Sequence, residues 1–176
     1  QSFLVQKGSS CVTAPGSTCL KNFRQTTTTR AADTRCTRAY TGATNETAAQ
    51  IIAKVAVACG INPQALVVML QKEQGLVTAT AGGNATRYQA AMGFGCPDTA
   101  ACSALYYGFF NQVYSAAHPS KNYALNPLAY RHRPGSVNHV LYPPNPASRP
   151  TASPLPTPAP TAPHTPPPNH PAPPPH

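Results

Sequence analysis

The chain has only four carboxylates, Asp33, Glu46, Glu73 and Asp98, against thirteen Lys and Arg. Glu73 has the most informative surroundings. It lies in Asn62-Pro-Gln-Ala-Leu-Val-Val-Met-Leu-Gln-Lys-Glu-Gln-Gly-Leu-Val77. At about 100° per residue Leu66, Met69, Leu70, Leu76 and Val77 share one helical arc, and Glu73 projects into its middle. An ionised carboxyl among apolar groups is unfavourable by several kcal/mol, so it is paired, kept protonated or turned towards a cleft. Protonation and a cleft are what a general acid requires. A solvated helix glutamate beside Lys72 and Gln74 is the ordinary alternative.

The other acids make poor partners for Glu73. Asp98 lies between two close cysteines, Asp33 has no informative context, and Glu46 precedes a helix, where offsetting the helix dipole is a carboxylate's usual role. Other chemistries find little support. The chain has no G-x-S-x-G elbow, its six His all follow the last Cys, and Gly82, Gly83, Gly93 and Gly95 lack the strand, helix and lysine of a phosphate loop. No cofactor is expected.

Six cysteines in a chain with few charges suit an exported, disulfide-bonded protein. Fifteen pairings are possible. The sequential set, Cys11 with Cys19, Cys36 with Cys59 and Cys96 with Cys102, closes the shortest loops. Zinc is the alternative, but no C-x2-C pair occurs, so no metal is expected. The net charge of +9 favours anionic partners. Nucleic acid binding would rest on charge alone, without a basic helix or an aromatic RNA-binding motif, so an anionic cell-wall polymer is preferred. Simple solubility is the bland reading of the same charge. No run of eighteen apolar residues signals a transmembrane span. The chain opens at Gln1 with neither Met nor signal peptide, as a processed form or a fragment would.

The spacing predicts elements that would position Glu73. A short helix at Ser2-Phe-Leu-Val-Gln6 opens a Cys- and Thr-rich segment over 1–44, in which Thr26-Thr-Thr-Thr-Arg30 has strand propensity without alternation. Thr44 or Asn45 can cap a helix carrying Ala48, Ile51, Ile52, Val55, Ala56 and Cys59 and ending at Gly60. Asn62 caps the helix bearing Glu73, with Pro63 in its first turn. Gly82, Gly83 and Asn84 mark a loop, Tyr88 to Met92 a helical turn, and Gly93-Phe-Gly-Cys-Pro97 a tight segment. A third helix over Leu105, Tyr106, Phe109, Phe110, Val113, Tyr114 and Ala117 should stop at Pro119. Residues 120–142 read as loop, and the proline-rich stretch 143–176 as an extended, disordered tail. Asn45-Glu-Thr47 and Asn84-Ala-Thr86 match glycosylation sequons, a short pattern common by chance.

With these motifs in place, Ile61 to Leu76 resembles the catalytic-glutamate helix of lysozyme-like lytic transglycosylases and bacterial glucosaminidases. Ala90-Ala-Met-Gly-Phe-Gly95 stands where those enzymes carry a Gly-Leu-Met-Gln cleft segment, and Phe110-Asn-Gln-Val-Tyr114 where they carry an Asn-bearing helix. Over about residues 1–146 the chain also resembles secreted actinobacterial proteins labelled hemagglutinin, through Thr27-Thr-Thr-Arg-Ala-Ala32 and the runs at 71–80, 92–100 and 106–114. It departs from that group at His118-Pro119, where an aromatic residue is usual, and past Asn145, where the group continues into a further Cys-containing segment.

The resemblance implies a mostly α, lysozyme-like, disulfide-stapled domain over 1–142, with its helical core at 45–118. It implies a secreted, monomeric protein that cleaves peptidoglycan glycan strands with Glu73 as acid and then base. Scarcity of other acids favours a transglycosylase-like route, in which the sugar's own 6-hydroxyl closes the ring. Gln74, Tyr88, Met92, Gly93, Tyr107 and Asn111 are the candidate substrate-binding residues. The amide of Asn111 attracts notice because an amide among aromatics needs a partner when buried. A non-catalytic module that binds wall glycan or a surface is the rival reading.

Overall fold

The computed structural model describes residues 1–129 and residue 137. Helices dominate. In chain order they are α1 (Ser2–Lys7), α2 (Ala48–Cys59), α3 (Pro63–Gln74), α4 (Ala85–Gln89) and α5 (Phe109–Leu125). Four two-residue strands, β1 (Ser17–Thr18), β2 (Arg24–Gln25), β3 (Glu46–Thr47) and β4 (Gly83–Asn84), form two antiparallel pairs, β1 with β4 and β2 with β3. Residues Gln1–Leu125 make one compact unit, and Asn126–His176 fall in a second, whose described part includes a 3-10 turn at Pro127–Ala129. The proline-rich stretch and most of 130–142 lie outside the described residues.

Helix α2 is the centre of the core, packing against both α3 and α5. Its apolar face, Ile51, Ile52, Val55, Ala56 and Cys59, is buried as the three-and-four spacing requires. Its cap is neither Thr44 nor Asn45. Asn45 takes a left-handed φ of 55°, which turns the chain into β3, and Thr47 forms a reciprocal capping box with Gln50. Asn62 caps α3 through its side chain, with Pro63 in the first turn, as expected.

Two expectations about helix ends fail for physical reasons. Leu105 and Tyr106 belong to a separate 3-10 turn, because Gly108 at φ 101° breaks the chain before α5 begins at Phe109. At the other end Pro119 lies inside α5. A mid-helix proline removes one hydrogen bond and is unfavourable by about 3 kcal/mol. Buried Phe109, Phe110, Val113, Ala116 and Ala117 offset it, since each large buried apolar side chain contributes about 2 kcal/mol. Likewise, Thr26 to Arg30 do not form a regular strand: β2 is Arg24–Gln25, and Arg30 makes an isolated bridge with Tyr40. Asn84 caps α4, so the helical turn containing Tyr88 starts earlier than Tyr88 itself.

All six cysteines are paired, in the sequential pattern: Cys11 with Cys19, Cys36 with Cys59, Cys96 with Cys102. The buried Cys36 and Cys59 fasten the loop before β3 to the end of α2.

The buried carboxylate is Glu46. At 5% exposure it accepts hydrogen bonds from Thr27 Oγ1 and from Tyr40 Oη at 2.7 Å, and it pairs with Lys54 Nζ. Burial pushes its carboxyl up, but the bonds from Lys54, Thr27 and Tyr40 together with the Lys54 charge hold it below its ordinary 4.5. The Tyr40 hydroxyl is pushed up, first by burial. Glu46 is therefore an ionised structural anchor for the segment that enters α2.

Because its folded-state value lies below 4.5, the Glu46 contribution to stability is complete above about pH 4.5 and is lost as pH falls through the lower folded value. Glu46→Ala strands two hydroxyl donors and an ammonium, and should destabilise the fold at neutral pH by roughly 3 kcal/mol. Urea unfolding followed from neutral to acid pH should show a shallower acid loss in the variant than in the parent.

Candidate functional site

Glu73 occupies the last turn of α3, one residue before Gln74 and two before the left-handed C-cap Gly75. The arc drawn for a continuous helix is interrupted there. Leu66 and Leu70 are buried from within α3, whereas Leu76 and Val77 reach the core from the loop beyond it. Gln71 directs that turn, its Oε1 accepting from the backbone N–H groups of Val77 and Thr78 at 3.1 Å each. Glu73 is left at the edge of the apolar face. Its side chain is 35% exposed, with Oε1 3.1 Å from Lys72 Nζ.

The segment facing this carboxylate is held by a residue that sequence reasoning passed over. Gln112, fully buried on α5, accepts at Oε1 from the N–H groups of Met92 (3.1 Å) and Phe94 (3.0 Å). Its Nε2 donates to the carbonyls of Phe94 (2.9 Å) and Tyr106 (2.8 Å). A neutral amide has two donors and two acceptor lone pairs, and all four are used. Gln112 thereby fixes Gly93 with φ 64° beside Glu73, where a Cβ on Gly93 would stand 3.1 Å from Oε2. Glycine lets the backbone approach the carboxylate.

The expectation that an amide among the α5 aromatics needs partners belongs more to Gln112 than to its neighbour. Asn111 is half-buried. It donates to the Tyr107 carbonyl and accepts from Arg30 Nη2, both at 2.9 Å. The signal for Gln112 was its spacing: Phe109, Gln112 and Ala116 share the buried side of α5.

The other sequence-selected residues divide between core and surface. Tyr88 is buried, stacks on Phe23 with ring centres 4.0 Å apart, and donates to the Thr18 carbonyl at 2.7 Å. Burial pushes its hydroxyl well above the ordinary value, with Arg87 opposing. Met92 is also in the core. Gln74 ties α3 to the loop after α4 by donating to the Ala90 carbonyl at 3.3 Å, while the Arg87 guanidinium donates to the Gln74 carbonyl. Tyr107 is exposed and donates to the Cys102 carbonyl at 3.3 Å. Thus Gly93 is the candidate brought against Glu73, and Gln74 and Met92 flank it along the chain.

A separate cavity of about 590 Å³ opens beside α5, lined by residues that include Arg30, Arg35, Phe94, Tyr106, Asn111 and His118. Glu73 is not part of its lining. Asp33 is outside that lining but reaches it through His118. That carboxylate accepts from the N–H groups of Cys36 and Arg35 at 2.7 Å each and stands 3.3 Å from His118 Nε2. The backbone N–H of Cys36 leads in holding it below its usual range, against burial. Asp33, Cys36 and His118 come together closely enough to suggest a metal trio, but the Cys36 sulfur is bonded to Cys59. Only two ligand donors remain.

No family model matches the chain, and no curated protein or solved structure is significantly similar to it. The fold and site define a small, mostly helical, disulfide-stapled domain. Among the described residues no helix is long and apolar enough to cross a membrane.

Gln112→Leu preserves much of the side-chain volume but strands two backbone donors and two carbonyls. It should lower stability by roughly 2–4 kcal/mol. Hydrogen exchange should accelerate at the Met92 and Phe94 amides beyond the change in global stability, an outcome that locates the loss in the segment facing Glu73.

Proposed function

We propose that this is a secreted domain acting on peptidoglycan or a related anionic wall glycan, with Glu73 as its single acid and base. The observation that carries the reading is how the four carboxylates are used. Glu46 is buried in its own network, Asp33 holds two backbone N–H groups, and Asp98 lies exposed in the loop closed by Cys96 and Cys102. Glu73 is the accessible acid carried on a helix, in the last turn of α3, with a glycine backbone against it. The resemblance to the glutamate helix of lysozyme-like lytic enzymes supports the same assignment and a lysozyme-like arrangement of α2, α3 and α5.

In this mechanism protonated Glu73 donates to the glycosidic oxygen as oxocarbenium character develops at the neighbouring anomeric carbon. The resulting carboxylate then takes the proton from the muramyl 6-hydroxyl, whose oxygen attacks that carbon and closes a 1,6-anhydro ring. No second carboxylate is needed. Three disulfides support an extracellular location, where thiols remain oxidised.

A non-catalytic glycan-binding module is the second reading. The pairing of Glu73 with Lys72 at the protein surface favours it, because a general acid is commonly sheltered by apolar surroundings.

Digestion of purified peptidoglycan by the oxidised chain, with mass spectrometry of the fragments, tests both. Soluble 1,6-anhydromuramyl products are expected, with Glu73→Gln slower by about a hundredfold or more. Reducing ends in their place would indicate hydrolysis. No release by the folded parent, together with retained glycan binding, would leave the binding module. Gly93→Ala should reduce release by at least about tenfold, since the added methyl displaces the carboxylate and strains a left-handed position.

A further inference from the structure

The cavity beside α5 has a chemical character distinct from the surface around Glu73. Arg30, Arg35 and His118 line it without any Asp or Glu. Asp33, outside the lining, accepts from the Arg35 and Cys36 N–H groups and stands 3.3 Å from His118, with its side chain 42% exposed. Two guanidinium groups in the walls against one adjacent carboxylate leave the cavity net basic, in a partly enclosed space where a charge is screened less than on open surface.

Arg30 is held in place before any ligand arrives. Its backbone exchanges two hydrogen bonds with Tyr40, both 2.9 Å. Its guanidinium carbon lies 5.7 Å from the Phe110 ring centre and 5.9 Å from that of Tyr114. Nη2 donates to Asn111 Oδ1, and Asn111 is itself fixed through the Tyr107 carbonyl. One edge of the fork is occupied, and the guanidinium rests on an aromatic shelf. Such a group loses little freedom on binding and matches the planar geometry of a carboxylate.

The remaining walls suit a polar ring. Phe94 and Tyr106 meet edge to face at 4.8 Å and both line the cavity. Ser115 and Asn122 add polar groups. Pro119 is also in the lining. Aromatic faces beside amide and hydroxyl groups are complementary to the apolar faces and hydroxyls of a sugar.

We propose that this cavity binds an acidic saccharide, its carboxylate taken by Arg30 and Arg35 and its ring seated by Phe94 and Tyr106. This site stands apart from the Glu73 chemistry: loss of cleavage leaves binding intact, and loss of binding leaves cleavage to be measured on its own.

The test is titration of the isotope-labelled, oxidised full chain at fixed ionic strength with sodium glucuronate, glucose and inorganic phosphate, followed by NMR. Glucuronate should move the side-chain signals of Arg30, Arg35 and Asn111 in a saturable way, while glucose and phosphate bind at least about tenfold more weakly. Arg35→Gln, at an exposed position where folding is not at risk, should weaken glucuronate roughly tenfold, and Arg30→Gln at least as much. Glu73→Gln should bind like the parent. Equal binding of glucose would overturn the role of charge. Equal binding of phosphate would reduce the cavity to a general anion site, and no saturable shift with glucuronate would overturn the proposal outright.

Discussion

A neutral glutamine in the core sets the geometry on which both candidate sites depend. Gln112 is fully buried, and an amide in that position is unfavourable by several kcal/mol unless its hydrogen bonds are made. They are made to backbone groups at residues 92, 94 and 106. Secondary structure alone could not hold this stretch, which lies between α4 and α5 without helix or strand of its own apart from one 3-10 turn. Gly93 faces Glu73 and Phe94 lines the basic cavity, so a single side chain positions both.

Glu46 does a related task on the opposite side of the sequence. The loop from Thr26 to Asn45 has little regular structure, and it is secured by the Cys36–Cys59 disulfide, by the Arg30 and Tyr40 bridge, and by hydroxyls converging on the Glu46 carboxylate. The disulfide and the Thr27 bond to Glu46 join residues 23 and 19 apart in sequence, while Arg30 with Tyr40 and Tyr40 with Glu46 close shorter loops. With four two-residue strands among the described residues, the domain gains order from such ties in place of a large sheet. The presence of Lys54 makes the buried charge tolerable, since an unpaired carboxylate there would be neutralised or expelled.

Two residues show how a helical projection can mislead about a site. The arc that placed Glu73 among apolar residues assumed a helix running through Val77, but the chain leaves the helix after Gln74. Leu76 and Val77 are buried for another reason, the turn held by Gln71, and Glu73 is left partly exposed. On α5 the projection places Gln112 in the core, yet Asn111 attracted attention because of its aromatic neighbours. In both cases the local pattern holds, and an element boundary or a one-residue offset along the helix decides which side chain is buried.

Several features were determined by the sequence itself because their causes are local. The helices α2 and α3 follow from apolar spacing, the Asn62 cap with Pro63, and terminal glycines at 60 and 75, all of which act within a few residues. Short loops bring their ends together with little entropy loss, which favours sequential cysteine pairing, but spacing alone leaves fifteen pairings open and the fold selects among them. Tertiary structure decided which carboxylate is buried, whether Pro119 ends a helix, and that Arg30, Arg35 and His118 border one cavity. These depend on contacts across long stretches of chain: Thr27 with Glu46, α5 against α2, Arg30 with Asn111. Burial and electrostatics are properties of that packed arrangement, so a residue's type fixes what it can do while its distant neighbours determine whether it does so.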